Sequence, residues 1–293
     1  MGNEREFWNA PLYDECVAKH KKVLLFSKRT AKAKEACKKL TAWLTKQGYS
    51  TLDVTDTDDR ITDTVAKGVC LGVVIGGDGT FLTLVRRLEN KALFPLLGIN
   101  LGTLGFITET SPDEMIPAVD AALKGKCVEE PRRLLQVEIC RKDLCRVSGF
   151  VFNDVVVTKD ARTPMLKFDV HIGDEFLSYV RADGYIVGTA TGSTAYALSS
   201  GGPLLHPNVN GLVLVPICSH SLSARPVVIP DTMAIRITPK EFKGKVYLVL
   251  DGQINHEIDE KDYVRIRTSE TFLKLVRSQA SWSQTIRSKL DMA

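Results

Sequence analysis

The hydrophobic pattern of this chain changes its period near residue 131, and this change constrains the fold more than any other feature. Before it, short apolar runs such as KVLLFS at 22–27 and LGVVI at 71–75 alternate with stretches of helical composition. After it, apolar and polar residues alternate, as in LKFDVHI at 166–172, which is the two-residue period of a half-buried strand. The pattern therefore predicts an α/β domain followed by an all-β domain.

Strands that alternate with helices predict a parallel sheet in the first domain. Short strands separated by turn residues predict two packed sheets in the second. We place the α/β domain at residues 1–130 and the β-rich domain at 131–270. We expect the C-terminal segment, 271–293, to return to the first domain and pack on it.

Local signals add elements to the first domain. The composition from Thr30 to Gln47 predicts a helix, and STLDV at 50–54 and PLLGI at 95–99 predict two further strands. The tetrapeptide Ser-Pro-Asp-Glu at 111–114 predicts another helix start, because Ser can cap a helix and Glu can complete a capping box. The Lys-rich stretch at 28–39 has helical spacing and is predicted to be a solvated helix face.

Composition excludes several classes of protein. The chain has 293 residues and a formal charge of +4, which is too small to indicate a nucleic-acid partner. No apolar run is long enough to predict a membrane helix, so we expect no membrane partner. Seven cysteines without a Cys-x-x-Cys pair, and an N-terminus without an apolar signal core, predict a cytoplasmic protein with reduced thiols.

The segment VVIGGDGTFL at 73–82 ends an apolar run in glycines that surround one acid, Asp78. If the run is a strand, the glycines form a strand-to-helix turn, where ligands bind in α/β sheets. Glycine lets backbone amides approach a phosphate, and the N-terminus of a helix adds positive charge. A carboxylate repels phosphate, so we interpret Asp78 as a proton acceptor or a contact to phosphate-bound Mg²⁺. The alternative is a tight turn in which Asp78 caps the helix.

A second unusual stretch, RADGYIVGTATGSTAYALSSGGP at 181–203, is rich in small and hydroxyl-bearing residues. It indicates a backbone against which a ligand lies, with hydroxyls, a carboxylate and an aromatic ring available to it. The candidate contacts are Asp183, Gly192, Ser193, Thr194, Tyr196 and Ser199. The alternative is a loop leading into a small-residue helix that packs on a sheet.

Six segments, in order along the chain, together resemble the NAD kinase family. They are GGDGT at 76–80, LGINLGTLGFITE at 97–109, FNDVVV at 152–157, DGYIVGTATGSTAY at 183–196, GGPLLHPNV at 201–209 and PICSHSLSARPVVIP at 216–230. The first segment also occurs in lipid kinases and 6-phosphofructokinases. The GSTAY stretch is more specific for NAD kinases.

The resemblance implies a kinase that transfers the γ-phosphoryl group of ATP to the 2′-hydroxyl of the adenosine ribose of NAD, or of NADH, and so makes NADP(H). It implies Mg²⁺ carried on ATP, without a dedicated metal site in the protein, and a homo-oligomer, either a dimer or a tetramer. It also implies an α/β domain followed by a β-rich domain.

The resemblance also assigns roles to individual residues. Asp78 matches the catalytic acid that activates the ribose hydroxyl. The residues matched to ATP phosphates are Gly76, Gly77, Gly79 and Thr80. The residues matched to NAD are Asp78, Gly79, Asn153, Asp154, Arg181, Asp183, Thr191, Thr194, Ala195, Tyr196, Ser199 and Gln253.

Two positions depart from the family pattern. Asp154 stands where the family usually has Glu, so the carboxylate reaches less far by one methylene group. Ala190 replaces a common Pro, which predicts a looser loop. Two other functions stay open: a lipid kinase of the diacylglycerol type, and a dinucleotide sensor that binds without transfer.

Overall fold

The computed structural model describes residues 21–55, 60–88, 94–102, 105–142, 144–221, 223–277 and 282–290. The described residues form two compact units. One contains those up to 88, from 94 to 131, and from 273 onward, and the other contains those from 132 to 272. The N-terminal segment 1–20, and Thr103 and Leu104 of the LGINLGTLGFITE segment, lie outside the described residues.

The strands, in chain order, are β1 (Lys22–Ser27), β2 (Ser50–Asp53), β3 (Val69–Gly76), β4 (Leu96–Asn100), β5 (Val128–Arg141), β6 (Leu144–Val151), β7 (Asp154–Lys159), β8 (Leu166–Ile172), β9 (Glu175–Ala182), β10 (Gly184–Thr189), β11 (Gly211–Ile217), β12 (Val227–Pro230), β13 (Ile235–Lys240), β14 (Val246–Leu250), β15 (Ile254–Ile258) and β16 (Tyr263–Arg277). The α-helices are α1 (Ala31–Lys46), α2 (Asp63–Ala66), α3 (Asp78–Leu88), α4 (Met115–Leu123), α5 (Tyr196–Ser199) and α6 (Trp282–Leu290). One 3₁₀ turn spans Thr191–Thr194.

The first unit is built on the parallel strand order β2-β1-β3-β4. The end of β16 continues this sheet, because Leu275 and Val276 pair in parallel with Leu96 and Leu97 of β4. Strand β3 is buried along its whole length, as expected for a parallel sheet covered on both faces. The predicted strands and the predicted parallel sheet are thereby confirmed.

Two helices of the first unit follow the segments that predicted them, although α4 begins at Met115, four residues after the predicted cap Ser111. Thr30 caps α1 by accepting a hydrogen bond from the N–H of Ala33. Before α4, Ser111 and Glu114 form the reciprocal bonds of a capping box: the Ser111 N–H donates to the Glu114 carboxylate at 3.2 Å, and the Glu114 N–H donates to the Ser111 hydroxyl oxygen at 3.4 Å. Both predicted helices are confirmed.

The second unit contains two sheets that pack face to face. One is antiparallel, with the order β12-β11-β10-β7-β14-β15, and we call it the six-stranded sheet. The other follows the order β6-β5-β16-β13-β8-β9. Phe168 of β8 and Tyr185 of β10 meet between them, with ring centroids 6.2 Å apart. This arrangement confirms the predicted β-rich domain of two sheets, to which the short helical turns around 191–199 are added.

The apolar core of this unit follows the two-residue period that predicted it. In β8 the residues Leu166, Phe168, Val170 and Ile172 are buried and belong to the same cluster as side chains from the six-stranded sheet. The alternating polar residues are partly exposed. Burial of one face on each sheet therefore holds the two sheets together.

The cysteine prediction is wrong for one pair. Cys140 and Cys145 form a disulfide. They stand directly opposite each other in the β5–β6 hairpin, and this register brings the two sulfur atoms within bonding distance. The spacing of five residues did not reveal the pair, because the position of the hairpin turn decides which residues face each other.

None of the helices in the described ranges has both the length and the apolarity that a membrane span requires. The longest of them, α1, carries five lysines and buries only one face. Its buried residues, Ala33, Cys37, Leu40 and Leu44, recur at helical spacing. This helix is therefore an amphipathic element on the parallel sheet.

We expect Phe168→Ala to lower the free energy of unfolding by about 3–5 kcal/mol, because it leaves a cavity in the buried core between the sheets. Phe176→Ala is the matched control, because that ring is 58% exposed, and it should change the free energy by less than about 1 kcal/mol. Urea unfolding followed by far-UV circular dichroism measures both. Equal losses in the two variants would contradict the assignment of Phe168 to the core.

Candidate functional site

The glycine turn lies at the carboxyl end of β3 and leads directly into α3. At Gly76 a Cβ atom would lie 2.4 Å from the Thr80 hydroxyl oxygen, so the close packing of Thr80 requires glycine there. Gly77 and Gly79 have no atom within 4 Å of an added Cβ and face open space. The turn thus presents backbone rather than side chains beside the N-terminus of a helix, an arrangement that suits an anion.

The Asp78 carboxylate is bound by the loop that follows β4. Its Oδ2 accepts from the N–H of Phe106 at 2.8 Å, and its Oδ1 accepts from the N–H and hydroxyl of Thr108 at 2.9 and 2.8 Å. The N–H of Ile107 completes the set at 3.3 Å. At Gly105 a Cβ atom would lie 1.9 Å from Asp78 Oδ1, so any other residue there would displace the Asp78 carboxylate.

Two interpretations of Asp78 were made from the sequence: a proton acceptor or contact to phosphate-bound Mg²⁺, and a cap of the helix. Asp78 is the first residue of α3, and the hydrogen bonds of its carboxylate go to the loop at 106–108. Three of the four bonds fall on Oδ1, so Oδ2 keeps capacity for another donor. The arrangement is that of a carboxylate fixed in position at the end of a parallel sheet.

Two lysines lie at the same end of the sheet, and neither was predicted from the sequence as a site residue. Lys28 follows β1, and its backbone N–H donates to the carbonyl of Ile75 at 2.9 Å, one residue before the glycine turn. Lys32 donates from Nζ to the carbonyl of Leu101 at 2.8 Å. Lys28 and Lys32 belong to the stretch that we predicted to be a solvated helix face. Both lysines closely follow the buried strand β1. This position was the sequence signal that could have distinguished them from the other lysines of the stretch.

In the second unit, the start of β7 is held by an aspartate from the β14–β15 turn. The Asp251 carboxylate accepts from three consecutive N–H groups, those of Phe152, Asn153 and Asp154, at 2.9, 2.7 and 3.1 Å. Asp251 and Gly252 both have positive φ, 47° and 64°, as a tight hairpin turn requires. Of the residues in this Asp-Gly-Gln turn, only Gln253 was predicted from the sequence as a site residue. The Asp-Gly pair, which is typical of a tight hairpin turn, was the sequence signal that could have identified Asp251.

The GSTAY stretch lies directly against the backbone at Asn153. A Cβ atom at Gly192 would lie 2.0 Å from the Asn153 carbonyl oxygen, so only glycine allows this approach. The Thr189 hydroxyl donates to the carbonyl of Phe152 at 2.7 Å and accepts from the N–H of Gly192 at 3.0 Å. Ser193 is fully buried and bonds to the backbone of Ala190 and Leu205, so its hydroxyl is structural.

These elements enclose a cavity of about 330 Å³ on the outer face of the six-stranded sheet. Asp154, Val156 and Thr158 of β7 lie along it, while the alternating Val155 and Val157 face the core. Four of the residues matched to NAD line the cavity: Asn153, Asp154, Ala195 and Tyr196. Asp251 and Gly252 line the same cavity.

The cavity wall offers an unused hydrogen-bond acceptor. Among the described residues, the side-chain oxygen of Asn153 is buried and has no hydrogen-bond partner. A buried acceptor without a partner is costly, so a ligand that donates a hydrogen bond there would relieve that cost. The ring of Tyr196 is about half exposed beside it and is available for stacking.

The other predicted NAD residues lie outside the cavity lining. Thr191, Thr194 and Ser199 belong to the helical turns next to it, and Gln253 belongs to the β14–β15 turn. Asp183 lies beside the end of the cavity that is farthest from Asp154. Its carbonyl oxygen accepts a hydrogen bond from the hydroxyl of the cavity residue Thr158 at 3.2 Å. Thr158 lies four residue steps, about 14 Å, along the strand from Asp154.

Arg181 and Asp183 are the polar groups near that far end. The Asp183 carboxylate lies 3.5 Å from the Lys159 ammonium group and is 42% exposed. Arg181 is exposed on β9, and its carbonyl oxygen accepts from the N–H of His220 at 3.1 Å. In the second unit, four of the predicted NAD residues line the cavity, while Asp183 is next to the cavity residue Thr158; Asp78 and Gly79, which were also matched to NAD, belong to the first unit.

Burial, and after it the charge of the nearby Asp251 carboxylate, raise the pKa of Asp154 to about 7, although a hydrogen bond from the N–H of Tyr196 acts in the opposite direction. The side chain is 4% exposed. Near neutral pH this carboxyl group therefore exists in both protonation states and can donate or accept a hydrogen bond in the cavity.

We expect Gly105→Ala to lower the free energy of unfolding by about 1–3 kcal/mol, because the methyl group would displace the Asp78 carboxylate from its four hydrogen bonds. Gly102→Ala in the same loop is the control, since a Cβ there would approach nothing closer than the Asn100 side-chain oxygen at 3.9 Å. Urea unfolding measures both variants. The same free energy for both would show that the loop accommodates a methyl group at 105.

We expect Asp154→Asn to become progressively more stabilising, relative to the wild type, between pH 4 and pH 7. The folded-state pKa near 7 exceeds the unfolded value of 3.8, so the stability from the protonated group is complete below pH 3.8 and lost as pH rises to 7. The difference in unfolding free energy should grow by about 1 kcal/mol per pH unit. Asp174→Asn, in the exposed β8–β9 turn, is the control and should leave the pH dependence unchanged.

Comparison with known proteins identifies the family. Two sequence profiles match: the ATP-NAD kinase N-terminal domain over residues 15–127, and the ATP-NAD kinase C-terminal domain over residues 152–278. An NAD kinase of Aromatoleum aromaticum is 42% identical over 222 residues, which cover 75% of this chain and 73% of the relative. An NAD kinase of Geotalea daltonii is 34% identical over 279 residues, which cover 92% and 98%.

Solved structures share the fold. Yeast NADH kinase complexed with NADH superposes with a TM-score of 0.83 and 24% identity, covering 94% of this chain and 88% of that structure. An NAD kinase from Archaeoglobus fulgidus in complex with ATP superposes with a TM-score of 0.74 and 21% identity, covering 92% and 97%. The two matching profiles and the relatives above 30% identity confirm the resemblance seen in the sequence: this chain belongs to the ATP-NAD kinase family.

Proposed function

We propose that this chain is an ATP-dependent NAD kinase, which transfers the γ-phosphoryl group of ATP to the 2′-hydroxyl of the adenosine ribose of NAD. Its family membership supports this function. The observation that carries it is the cavity along β7, where four residues matched to NAD converge around a buried acceptor without a partner. A diphosphate-bridged dinucleotide is long enough to extend from such a cavity along β7.

The first unit supplies the features that an ATP phosphate chain needs. Gly77 and Gly79 place no side chain in the space beside the N-terminus of α3, and Gly76 and Thr80 pack closely in the same turn. Lys28 and Lys32 add positive charge at the same end of the sheet. These groups favour binding of the phosphates of ATP and do not depend on contacts with its adenine base.

Asp78 acts as the proton acceptor in this proposal. The ribose 2′-oxygen forms a bond to the γ-phosphorus, the bond from that phosphorus to the bridging oxygen breaks, and ADP leaves. The hydroxyl proton passes to the Asp78 carboxylate, for which Oδ2, with its single donor, is the better placed oxygen. The loop at 106–108 holds the carboxylate still, as phosphoryl transfer depends mainly on positioning.

Mg²⁺ fits this site as a companion of ATP. Within the part of the chain that the structure describes, no group of three or more His, Cys, Asp or Glu side chains is arranged to hold a metal ion. Mg²⁺ in kinases is commonly held by substrate phosphates, water and one or two carboxylates, and such binding needs no cage of protein ligands. The ion supplies neutralisation of the charge on the transferring phosphoryl group.

In the second unit, Asn153, Asp154, Ala195 and Tyr196 bind one end of the dinucleotide. Asp154 is shorter than the usual Glu, but it lines the cavity and can donate or accept there. Arg181 and Asp183 serve the other end of the dinucleotide, where Arg181 offsets phosphate charge. Thr191, Thr194, Ser199 and Gln253 support the turns that border the cavity.

The assembly and the compartment are part of the same proposal. We propose a homo-oligomer, a dimer or a tetramer, that works in the cytoplasm without a nucleic-acid or membrane partner. The Cys140–Cys145 disulfide instead favours an oxidising compartment, because disulfides are rare where thiol reductants are abundant.

One assay tests the function. The purified protein is given Mg²⁺ and ATP, together with NAD, NADH or diacylglycerol, and NADP or NADPH is detected with an NADP-specific dehydrogenase. Formation of NADP or NADPH is the expected result, and the ratio of the two rates gives the preference between NAD and NADH. Phosphorylated lipid without NADP would instead identify a lipid kinase, and NAD binding without any product would identify a sensor.

We expect Asp78→Asn to lower kcat by a factor of about 10² or more while NAD affinity stays close to that of the wild type, because only proton transfer is lost. Asp113→Asn, an exposed carboxylate before α4, is the matched control and should keep full activity. Circular dichroism checks that both variants are folded. Turnover of Asp78→Asn equal to that of the wild type would remove Asp78 from the role of proton acceptor.

A further inference from the structure

The C-terminal helix α6 contacts the loop that binds Asp78, and the contact runs through a buried glutamate. Glu109 is 5% exposed, and its Oε1 accepts from the Thr285 hydroxyl of α6 at 2.9 Å. The same oxygen lies 2.5 Å from a guanidinium nitrogen of Arg277, which is 8% exposed at the end of β16. Glu109 directly follows Thr108, the residue that makes two hydrogen bonds to Asp78.

A second contact links the helix to the same loop. The ammonium group of Lys289 lies 5.5 Å from the centre of the Phe106 ring, within the range of a cation–π interaction. The backbone N–H of Phe106 donates to Asp78 Oδ2. The helix thus reaches both ends of the short segment, 106–108, whose backbone amides hold the carboxylate.

Inside the loop, other bonds fix the same segment. The side-chain amide of Asn100 donates to the carbonyl and hydroxyl of Thr108 at 3.2 and 3.0 Å. The side-chain carbonyl of Asn100 accepts from the N–H of Gly102 at 2.7 Å. The segment is therefore held from β4 on one side and from α6 on the other, with the Asp78 carboxylate bound to its amides.

We propose that α6 is a positioning element for the transfer reaction: through Thr285 and Lys289 it fixes the loop that orients the Asp78 carboxylate. This inference rests on the proposed function, in which Asp78 is the proton acceptor. A displacement of a reacting group by about 1 Å can cost up to about 10² in rate, so a helix far along the sequence from Asp78 can set kcat. Asn153 and Tyr196, the proposed NAD contacts that line the cavity, belong to the second unit, so we expect a larger effect on kcat than on the affinity for NAD.

Kinetics of paired variants test this role. Thr285→Val removes only the hydroxyl that donates to Glu109 and keeps the shape of the side chain. We expect it to lower kcat by about tenfold with less than a twofold change in KM for NAD. Thr285→Ser keeps a hydroxyl at this position and should keep kcat near that of the wild type. Ser283→Ala, on the exposed face of α6, is the second control and should also leave kcat unchanged.

Lys289 has its own matched pair. Lys289→Met removes the charge over the Phe106 ring and should lower kcat several-fold, while Arg287→Met, at an exposed position of the same helix, should not. If the two contacts act on one loop, Thr285→Val combined with Lys289→Met should depart from the product of the single effects. Independent effects in the double variant would contradict a shared loop.

Amide hydrogen exchange provides a readout that does not depend on turnover. In Thr285→Val, peptides that cover residues 105–110 should exchange about tenfold faster than in the wild type, because the amides bound to Asp78 open more often. Exchange in β10 of the second unit should stay the same.

The outcomes separate this inference from the proposed function. Unchanged exchange in the loop, or faster exchange with unchanged kcat, would overturn the positioning role. If the wild type makes no NADP or NADPH, the proposed function fails, and exchange then decides alone whether α6 orders the Asp78 loop. Faster exchange would retain α6 as the element that orders this loop, and unchanged exchange would exclude it.

Discussion

Each unit of this protein contains one aspartate whose carboxylate accepts hydrogen bonds from three consecutive backbone amides. In the first unit Asp78 binds the amides of 106–108, and in the second Asp251 binds those of 152–154. Hydrogen bonds to a charged acceptor are roughly twice as strong as neutral ones, so each carboxylate can fix an irregular backbone segment. The candidate site in each unit depends on such a segment.

Glycine makes both arrangements possible. The backbone approaches the Asp78 carboxylate at Gly105 and the Asn153 carbonyl at Gly192, and an added Cβ would lie within 2.0 Å of an oxygen atom in either place. A side chain at either position would push the two segments apart. These close contacts place polar backbone next to the proposed ligand sites, where regular secondary structure would otherwise present side chains.

The two carboxyl groups beside the cavity differ in environment. Asp251 receives three amide hydrogens, whereas Asp154 is buried and receives one hydrogen bond from the N–H of Tyr196. Burial and the neighbouring charge of Asp251 therefore raise the pKa of Asp154 to about 7. This shift gives the cavity a group whose hydrogen-bonding character changes near neutral pH. Its origin is the packing of β7 against the β14–β15 turn, which no local pattern reveals.

The sequence by itself determined the fold class, strands β1 to β4 and helices α1, α3 and α4 of the first unit, the buried face of β8 and the family. These depend on the period of apolar residues, on capping residues and on short motifs, all of which are local. Only the tertiary structure decided which segments meet: the loop that binds Asp78, the role of Asp251, the Cys140–Cys145 disulfide and the contact of Thr285 with Glu109. Those contacts join residues distant in sequence, or depend on the register of a hairpin, and both are set by how strands pair and pack rather than by any single segment.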